Sequence, residues 1–172
     1  LISALRDPDP VLYYEHIGLY RDPSIRQSIE EAAQAEIPLG KAALRRAGSD
    51  LALVSYGAYA HVAAAVAGRL ERDGHSVAVL DLRSLVPLDR EALLAVARHC
   101  GKVMIVQEDA KTGGIGESLA SKIQEEAFEY LDAPVRVVGA LDTPVPYSPP
   151  LEAFYLAGED AVYEAARNLL EY

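Results

Sequence analysis

The sequence predicts an α/β fold, a doubly wound three-layer sandwich around a mostly parallel sheet. Three observations carry that expectation. Short, mostly apolar runs of strand length recur at Leu51–Tyr56, Val77–Leu82, Val103–Val106 and Val135–Val138. Runs that do not alternate with polar residues mark strands covered on both faces. Between them lie segments with apolar residues at helical spacing, and glycine or proline punctuates the junctions. Strand alternating with helix implies right-handed βαβ crossovers and therefore a parallel sheet.

Taken in order, Leu1–Leu5 resembles the last turn of a helix, broken by Asp7-Pro8-Asp9-Pro10. Val11-Leu12-Tyr13-Tyr14 is expected to be a strand ending at Glu15-His16. Nothing beside this helix and strand offers a second layer. Residues 1–16 are therefore expected to close a preceding domain, which makes the chain a piece of a longer protein. Residues 17–38 are expected to be a linker. Asp22-Pro23 is a turn there, and Ser24–Glu36 is polar and helix-permissive, with Arg26 and Glu30 one helical turn apart.

The main domain is expected over 39–172. Lys41–Arg46 is a strand, turned by Ala47–Asp50 into Leu51–Tyr56. A helix follows with Tyr59, Val62, Ala63, Val66 and Leu70 on one face, stopped by Gly74. After strand Val77–Leu82, Asp89 caps a helix that turns Leu93, Val96, Ala97 and Cys100 inward, and Gly101 ends it. Strand Val103–Val106 is expected to stop at Gln107-Glu108-Asp109. Thr112-Gly113-Gly114 makes a tight turn, and Ile115, Leu119, Ile123 and Ala127 form the next helix face. Asp132-Ala133-Pro134 turns the chain into Val135–Val138, expected as a fourth central strand. The prolines of Asp142–Pro150 predict extended chain, Leu151–Leu156 is irregular, and a last helix shows Val162, Ala165, Ala166, Leu169 and Leu170.

With 16 basic against 26 acidic residues the net charge is −10, which disfavours nucleic acid and anionic lipid and suits a basic protein partner. Cys100 is the single cysteine, so no intrachain disulfide forms; this fits a reducing, cytoplasmic setting. Beside His99 it could suggest a Cys–His pair, but adjacent helical residues point apart, and a buried helix-end thiol is expected. No run is long and apolar enough to span a bilayer, and no signal peptide is visible.

The turn at Gly113–Gly116 invites comparison with a phosphate cradle at a helix N-terminus. Gly114-Ile115-Gly116 supplies two glycines of a dinucleotide fingerprint, but Leu119 stands where the third belongs. Glu108, Asp109 and Glu117 would repel an anion. A tight turn at a domain or subunit surface is preferred, and a free-standing small-anion-binding module is the alternative. His61 is a conceivable general base without a sequence neighbour to serve, and His75 is expected to be solvated. Glu15-His16 has the look of an acid/base pair but no site around it. Arg83, at a strand mouth, is expected to pair with a loop carboxylate. No His/Cys/Asp/Glu grouping has metal-ligand spacing.

Taken together, an ordered set of short matches resembles the β subunit of 2-oxo acid dehydrogenase E1 components. It begins with Glu15-His16, Leu19-Tyr20-Arg21 and Ile37-Pro38-Leu39-Gly40-Lys41-Ala42. It continues with Asp81-Leu82-Arg83-Ser84-Leu85, Pro87, Asp89, Glu108 and Thr112-Gly113-Gly114. Phe128–Pro134 and Asp142-Thr143-Pro144-Val145-Pro146 complete it. The resemblance implies that residues 1–16 end a pyrimidine-binding domain and that 39–172 is a transketolase C-terminal-like domain. Members of that family use thiamine diphosphate and Mg²⁺ to decarboxylate a 2-oxo acid and acylate lipoyl groups on E2. The metal–diphosphate motif, Gly-Asp-Gly followed by Asn, is absent here, so no cofactor, metal or catalytic residue is expected within these residues. The resemblance implies association with an E1 α region and a second β subunit, and docking of E2. The positions expected to serve are Glu108, Thr112, Gly113, Gly114, Asp132, Asp142, Tyr147 and Tyr172. Residues 22–36 depart from the family's shorter connection, which suits a chain in which α and β regions are fused. Another enzyme of the superfamily (a transketolase, a deoxyxylulose-phosphate synthase or an oxo acid:ferredoxin oxidoreductase) is the alternative parent.

Overall fold

A computed structural model describes residues 1–26, 28 and 36–172. Five strands form one sheet: β1 (Ala43–Arg46), β2 (Leu51–Ser55), β3 (Val77–Asp81), β4 (Val103–Ala110) and β5 (Arg136–Ala140), in the order β1-β3-β2-β4-β5. β3, β2, β4 and β5 run parallel, and β1 pairs antiparallel with β3. The α-helices among the described residues are α1 (Ile2–Arg6), α2 (Tyr59–Arg72), α3 (Arg90–Cys100), α4 (Ile115–Ala127), α5 (Pro149–Tyr155) and α6 (Glu159–Leu170).

β2 and β3 are buried at every position, which is why they read as unbroken apolar runs. Side chains alternate between faces along each strand. Leu51, Leu53, Val79 and Met104 pack under α2 and α6 with Val66, Leu70, Val162 and Leu169. Ala52, Val54, Leu80 and Ile105 pack under α3 and α4 with Leu93, Ala97, Leu119 and Ile123. This is the expected three-layer sandwich. The connection after β2 leaves over one face and the connection after β4 over the other, so the carboxyl ends of these neighbouring strands frame a topological switch point.

Asp89 caps α3 by accepting from the Ala92 N–H at 3.2 Å, and Gly101 ends the helix in the left-handed conformation at φ 68°. Four expectations are corrected. Val11–Tyr14 is irregular, because a strand needs a neighbour and no other described segment pairs with it. β4 does not stop at Val106 but runs on to Ala110, because Gln107 is accommodated inside the fold. β5 begins at Arg136 and lies at the sheet edge rather than centrally. Pro149–Tyr155 is a helix rather than extended or irregular chain: proline at the first helical position forfeits an N–H that has no partner there in any case. Pro23–Ile25 forms a 3₁₀ turn, whereas the expected pairing of Arg26 with Glu30 lies outside the described residues. No helix among the described residues is long and apolar enough to cross a membrane.

Candidate functional site

The carboxyl edge of the sheet is organised by a buried amide. Gln107 is fully buried near the end of β4. Its Nε2 donates to the Ala110 carbonyl at 2.7 Å, and its Oε1 accepts from the Gly116 N–H at 2.7 Å. Both ends of the amide are therefore satisfied, as burial demands. Three glycines make room for it. A Cβ on Gly114 would collide with the Gln107 amide and lie 2.5 Å from the Ala110 oxygen. One on Gly116 would lie 2.6 Å from Gln107 Oε1 and 2.8 Å from Val137 Cγ1, and one on Gly139 would meet the Asp109 carbonyl at 2.5 Å. The glycines serve close packing, not an anion. Gln107 takes the Gly116 amide at the start of α4, and the Glu117 carboxylate accepts from the Gly113 N–H at 3.1 Å.

Around this amide the structure gathers several of the expected interface residues. Asp142 accepts from the Thr112 N–H at 3.1 Å and from its hydroxyl at 2.6 Å, joining the end of β5 to the glycine turn. Those two bonds, the hydroxyl first, hold the Asp142 carboxyl below its ordinary range. Glu108 meets His16, whose Nε2 lies 3.4 and 3.3 Å from the two carboxylate oxygens. Burial first, then the Glu108 charge, pushes the Tyr59 phenol up to about 12; Tyr56 is raised by burial, Asp109 and Glu108. Glu15 does not pair with His16 but accepts from the Tyr20 hydroxyl.

Asp132 and Tyr172 lie apart from that group and line a recess of about 300 Å³ with Phe128 and Pro134. The Asp132 N–H donates to the Gly101 carbonyl at 2.8 Å, fixing this loop to the end of α3. Tyr147 belongs to neither group and stands fully exposed beside α5, where Leu151 and Phe154 are also exposed. Sequence reasoning missed Phe154, because the helix presenting it was read as irregular. It missed Gln107 too; a lone amide closing an apolar run before Gly-x-Gly was the available signal.

Arg83 corrects another expectation. It is the one non-glycine residue at positive φ, 55°, among the described residues, and its guanidinium donates to the Lys41 and Ala42 carbonyls at 3.0 and 2.8 Å. The nearby carboxylate is already engaged: Asp81 accepts from the Arg83 N–H and from Arg45. His61 is exposed and His75 half-buried. Cys100 is buried at its helix end, and burial, followed by the Asp50 charge, pushes its thiol up to about 11, so it is a poor nucleophile. Among the described residues no group of three or more His, Cys, Asp or Glu side chains is placed to hold a metal ion.

Comparison with known proteins accounts for this architecture. The chain is 40% identical over its whole length to the 2-oxoisovalerate dehydrogenase subunit beta of Bacillus subtilis, and 42% identical to the pyruvate dehydrogenase E1 component subunit beta of the same organism. It covers 52% of each, so it spans about half the length of the curated relatives it matches. A solved split-gene transketolase, an inactive β4 tetramer, superposes with a TM-score of 0.69 at 29% identity, over 80% of this chain and 44% of that one. The family model of the transketolase C-terminal domain matches residues 40–162. That match takes in all five strands and the switch-point edge, and the chain belongs to the transketolase C-terminal domain family.

Proposed function

We propose that these residues are the assembly portion of the β subunit of a thiamine-diphosphate-dependent 2-oxo acid dehydrogenase E1. In that parent they associate subunits and dock E2, while oxidative decarboxylation and acyl transfer to the E2 lipoyl group take place with residues supplied elsewhere. The observation that carries this reading is the match of the whole chain to E1 β subunits. The 40% and 42% identities to relatives named for 2-oxoisovalerate and pyruvate are nearly equal, which supports placing substrate selection in the other half of such a subunit.

The residues do not fit the cofactor's diphosphate and metal. The Gly116 and Gly113 amides, which would have to receive phosphate oxygens, are engaged by Gln107 and Glu117, and the Glu117 and Asp142 carboxylates bring negative charge to the turn. The same engagement counts against an anion-binding module. Glu108, Thr112, Gly113, Gly114, Asp142 and Tyr147 are assigned to contacts with the E1 α region and a second β subunit. Asp132 and Tyr172, flanking an acidic and aromatic recess, are assigned to a basic segment of E2.

Exposed Leu141, Val145, Tyr147, Leu151 and Phe154, together with the β4 tetramer formed by the solved relative, support self-association of the chain. Two measurements test the proposal. Calorimetric titration with thiamine diphosphate and Mg²⁺ is expected to give no stoichiometric binding, and tight binding overturns the division of labour. Sedimentation is expected to find oligomers, and a monomer at high concentration overturns the assembly role.

A further inference from the structure

The chain that joins β5 to α5 carries no charge. From Thr143 to Leu151 there is neither an acidic nor a basic residue, although the protein as a whole has a net charge of −10. The same stretch turns apolar side chains to solvent. Val145 is 68% exposed and Tyr147 fully so. Leu151 and Phe154, three positions apart on one side of α5, are 57% and 77% exposed, and Leu141 at the foot of the arm is 44% exposed. Together these five side chains present roughly 600 Å² of surface, an aromatic ring counting for about 150–250 Å².

The arm is held at both feet. Ala140 pairs with Ala110 at the end of the sheet, and the Lys111 N–H donates to the Ala140 carbonyl at 3.2 Å. Just beyond, Asp142 accepts both bonds from Thr112, in the glycine turn that Gln107 fixes. At the far end the Ser148 carbonyl accepts from the Leu151 and Glu152 N–H groups and starts α5. The Leu141 N–H donates to the carbonyl of buried Tyr155 at 3.2 Å, which ties one foot to the other. Four of the nine residues from Thr143 to Leu151 are proline, so little backbone freedom remains to be lost on binding. Interface cores have this composition: charge is depleted in them, and tyrosine and phenylalanine supply the anchors.

We propose that this arm, with α5, is the surface through which the chain meets a second copy of itself, and that Asp142 is the positioning residue that presets it. Charge selects the occupant. Two chains of net charge −10 repel wherever acidic faces approach, and a neutral patch is where that repulsion is weakest. Area agrees with it: the same patch paired across a two-fold axis buries roughly 1,200 Å² in total, the lower bound of a stable interface. A basic partner would call for an acidic face, and the carboxylate at the foot of the arm is already engaged by Thr112. Of the two partners proposed above for Tyr147, the second β subunit is the one selected, so the role of the arm rests on the assembly reading.

Sedimentation of the chain and its variants tests this, with urea unfolding of the same samples to report the fold. Tyr147→Ser combined with Phe154→Ser is expected to raise the dissociation constant about 100-fold at an unchanged urea midpoint. Asp142→Ala, which touches no apolar side chain of the arm, is expected to raise it about tenfold and to speed hydrogen exchange over 143–148. Asp142→Asn keeps an acceptor oxygen for the Thr112 hydroxyl and is expected to come within about threefold of the unaltered chain. Raising salt from about 0.05 M to about 0.5 M is expected to leave association unchanged or to tighten it, because the contact is neutral and the chains repel. Oligomers indifferent to the Tyr147 and Phe154 pair overturn the arm and leave the assembly reading standing. A monomer in the unaltered chain defeats both. Association that weakens with salt assigns the contact to charged surfaces and overturns the neutral patch. An Asp142→Ala effect that appears only in step with a lowered urea midpoint, or that Asp142→Asn does not rescue, overturns the positioning role.

Discussion

β2 and β3 are buried at every position, whereas the elements between Ile2 and Ile25 bury no residue. Yet both regions are rich in large apolar side chains. Leu12, Tyr13, Tyr14, Ile17 and Tyr20 are all exposed at the start of the chain, while Leu51, Leu53 and Leu70 are completely covered in the body. Local composition therefore does not separate the two. What separates them is whether the chain supplies a second layer: the body has helices on both faces of its sheet, and the first segment has no such cover among the described residues.

The comparison is sharpest where the body is least tolerant. Gly116→Val places a branched side chain against Gln107 Oε1 and Val137 and displaces the amide that receives the Gly116 N–H. Overpacking and a broken buried hydrogen bond together are expected to cost roughly 4 kcal/mol, read as a lowered midpoint in urea unfolding. Next comes a matched pair of identical substitutions. Leu70→Ala, in the core, is expected to cost about 3 kcal/mol. Leu12→Ala, 83% exposed, is expected to change stability by less than about 0.5 kcal/mol. Equal losses from the two would erase the distinction drawn above.

Asp89 gives a smaller effect with a pH signature. Besides capping α3, it accepts from the Ala42 N–H at 3.1 Å and lies 3.7 Å from Lys41 Nζ, so it joins the main helix layer to the entry of β1. Bonds from Ala92 and Ala42 hold its carboxyl below the ordinary value of 3.8. A depressed carboxyl stabilises the fold fully above its unfolded value and loses that contribution as pH falls through the folded one. Asp89→Ala is expected to cost about 1 kcal/mol at pH 7, and the difference from the unaltered chain to shrink below pH 4. Thermal unfolding at pH 7 and pH 3 measures both.

Legibility in the sequence follows the same division. β2, β3 and the first half of β4 could be read because burial on two faces writes a continuous apolar run, and the faces of α2, α3, α4 and α6 because one buried side writes a helical period. Gln107 read as the end of a strand because an amide looks like an exit to solvent, when its partners at Gly116 and Ala110 exist only after folding. Pro149-Pro150 read as a breaker where it starts α5. Val11–Tyr14 carried strand propensity without a neighbour to pair with. Within the site, the pairing of Thr112 with Asp142 joined residues the sequence had singled out separately. His16 with Glu108 left no local signal at all, since nothing periodic connects positions so far apart.

Removing residues 1–16 is the most direct test of how independent the body is. The deletion takes away α1, the exposed run through Tyr14, and His16 with its contact to Glu108. The segment buries no side chain of its own, and its ion pair with Glu108 is exposed on both sides, so the expected loss is below about 1 kcal/mol, with an unchanged urea slope. An unchanged slope matters as much as an unchanged midpoint, because it reports that the surface released on unfolding belongs to the sheet and its helices. A loss of several kcal/mol, or a slope that falls by a fifth or more, would mean that the first segment is folded into the body's cooperative unit, and the two regions would have to be treated as one.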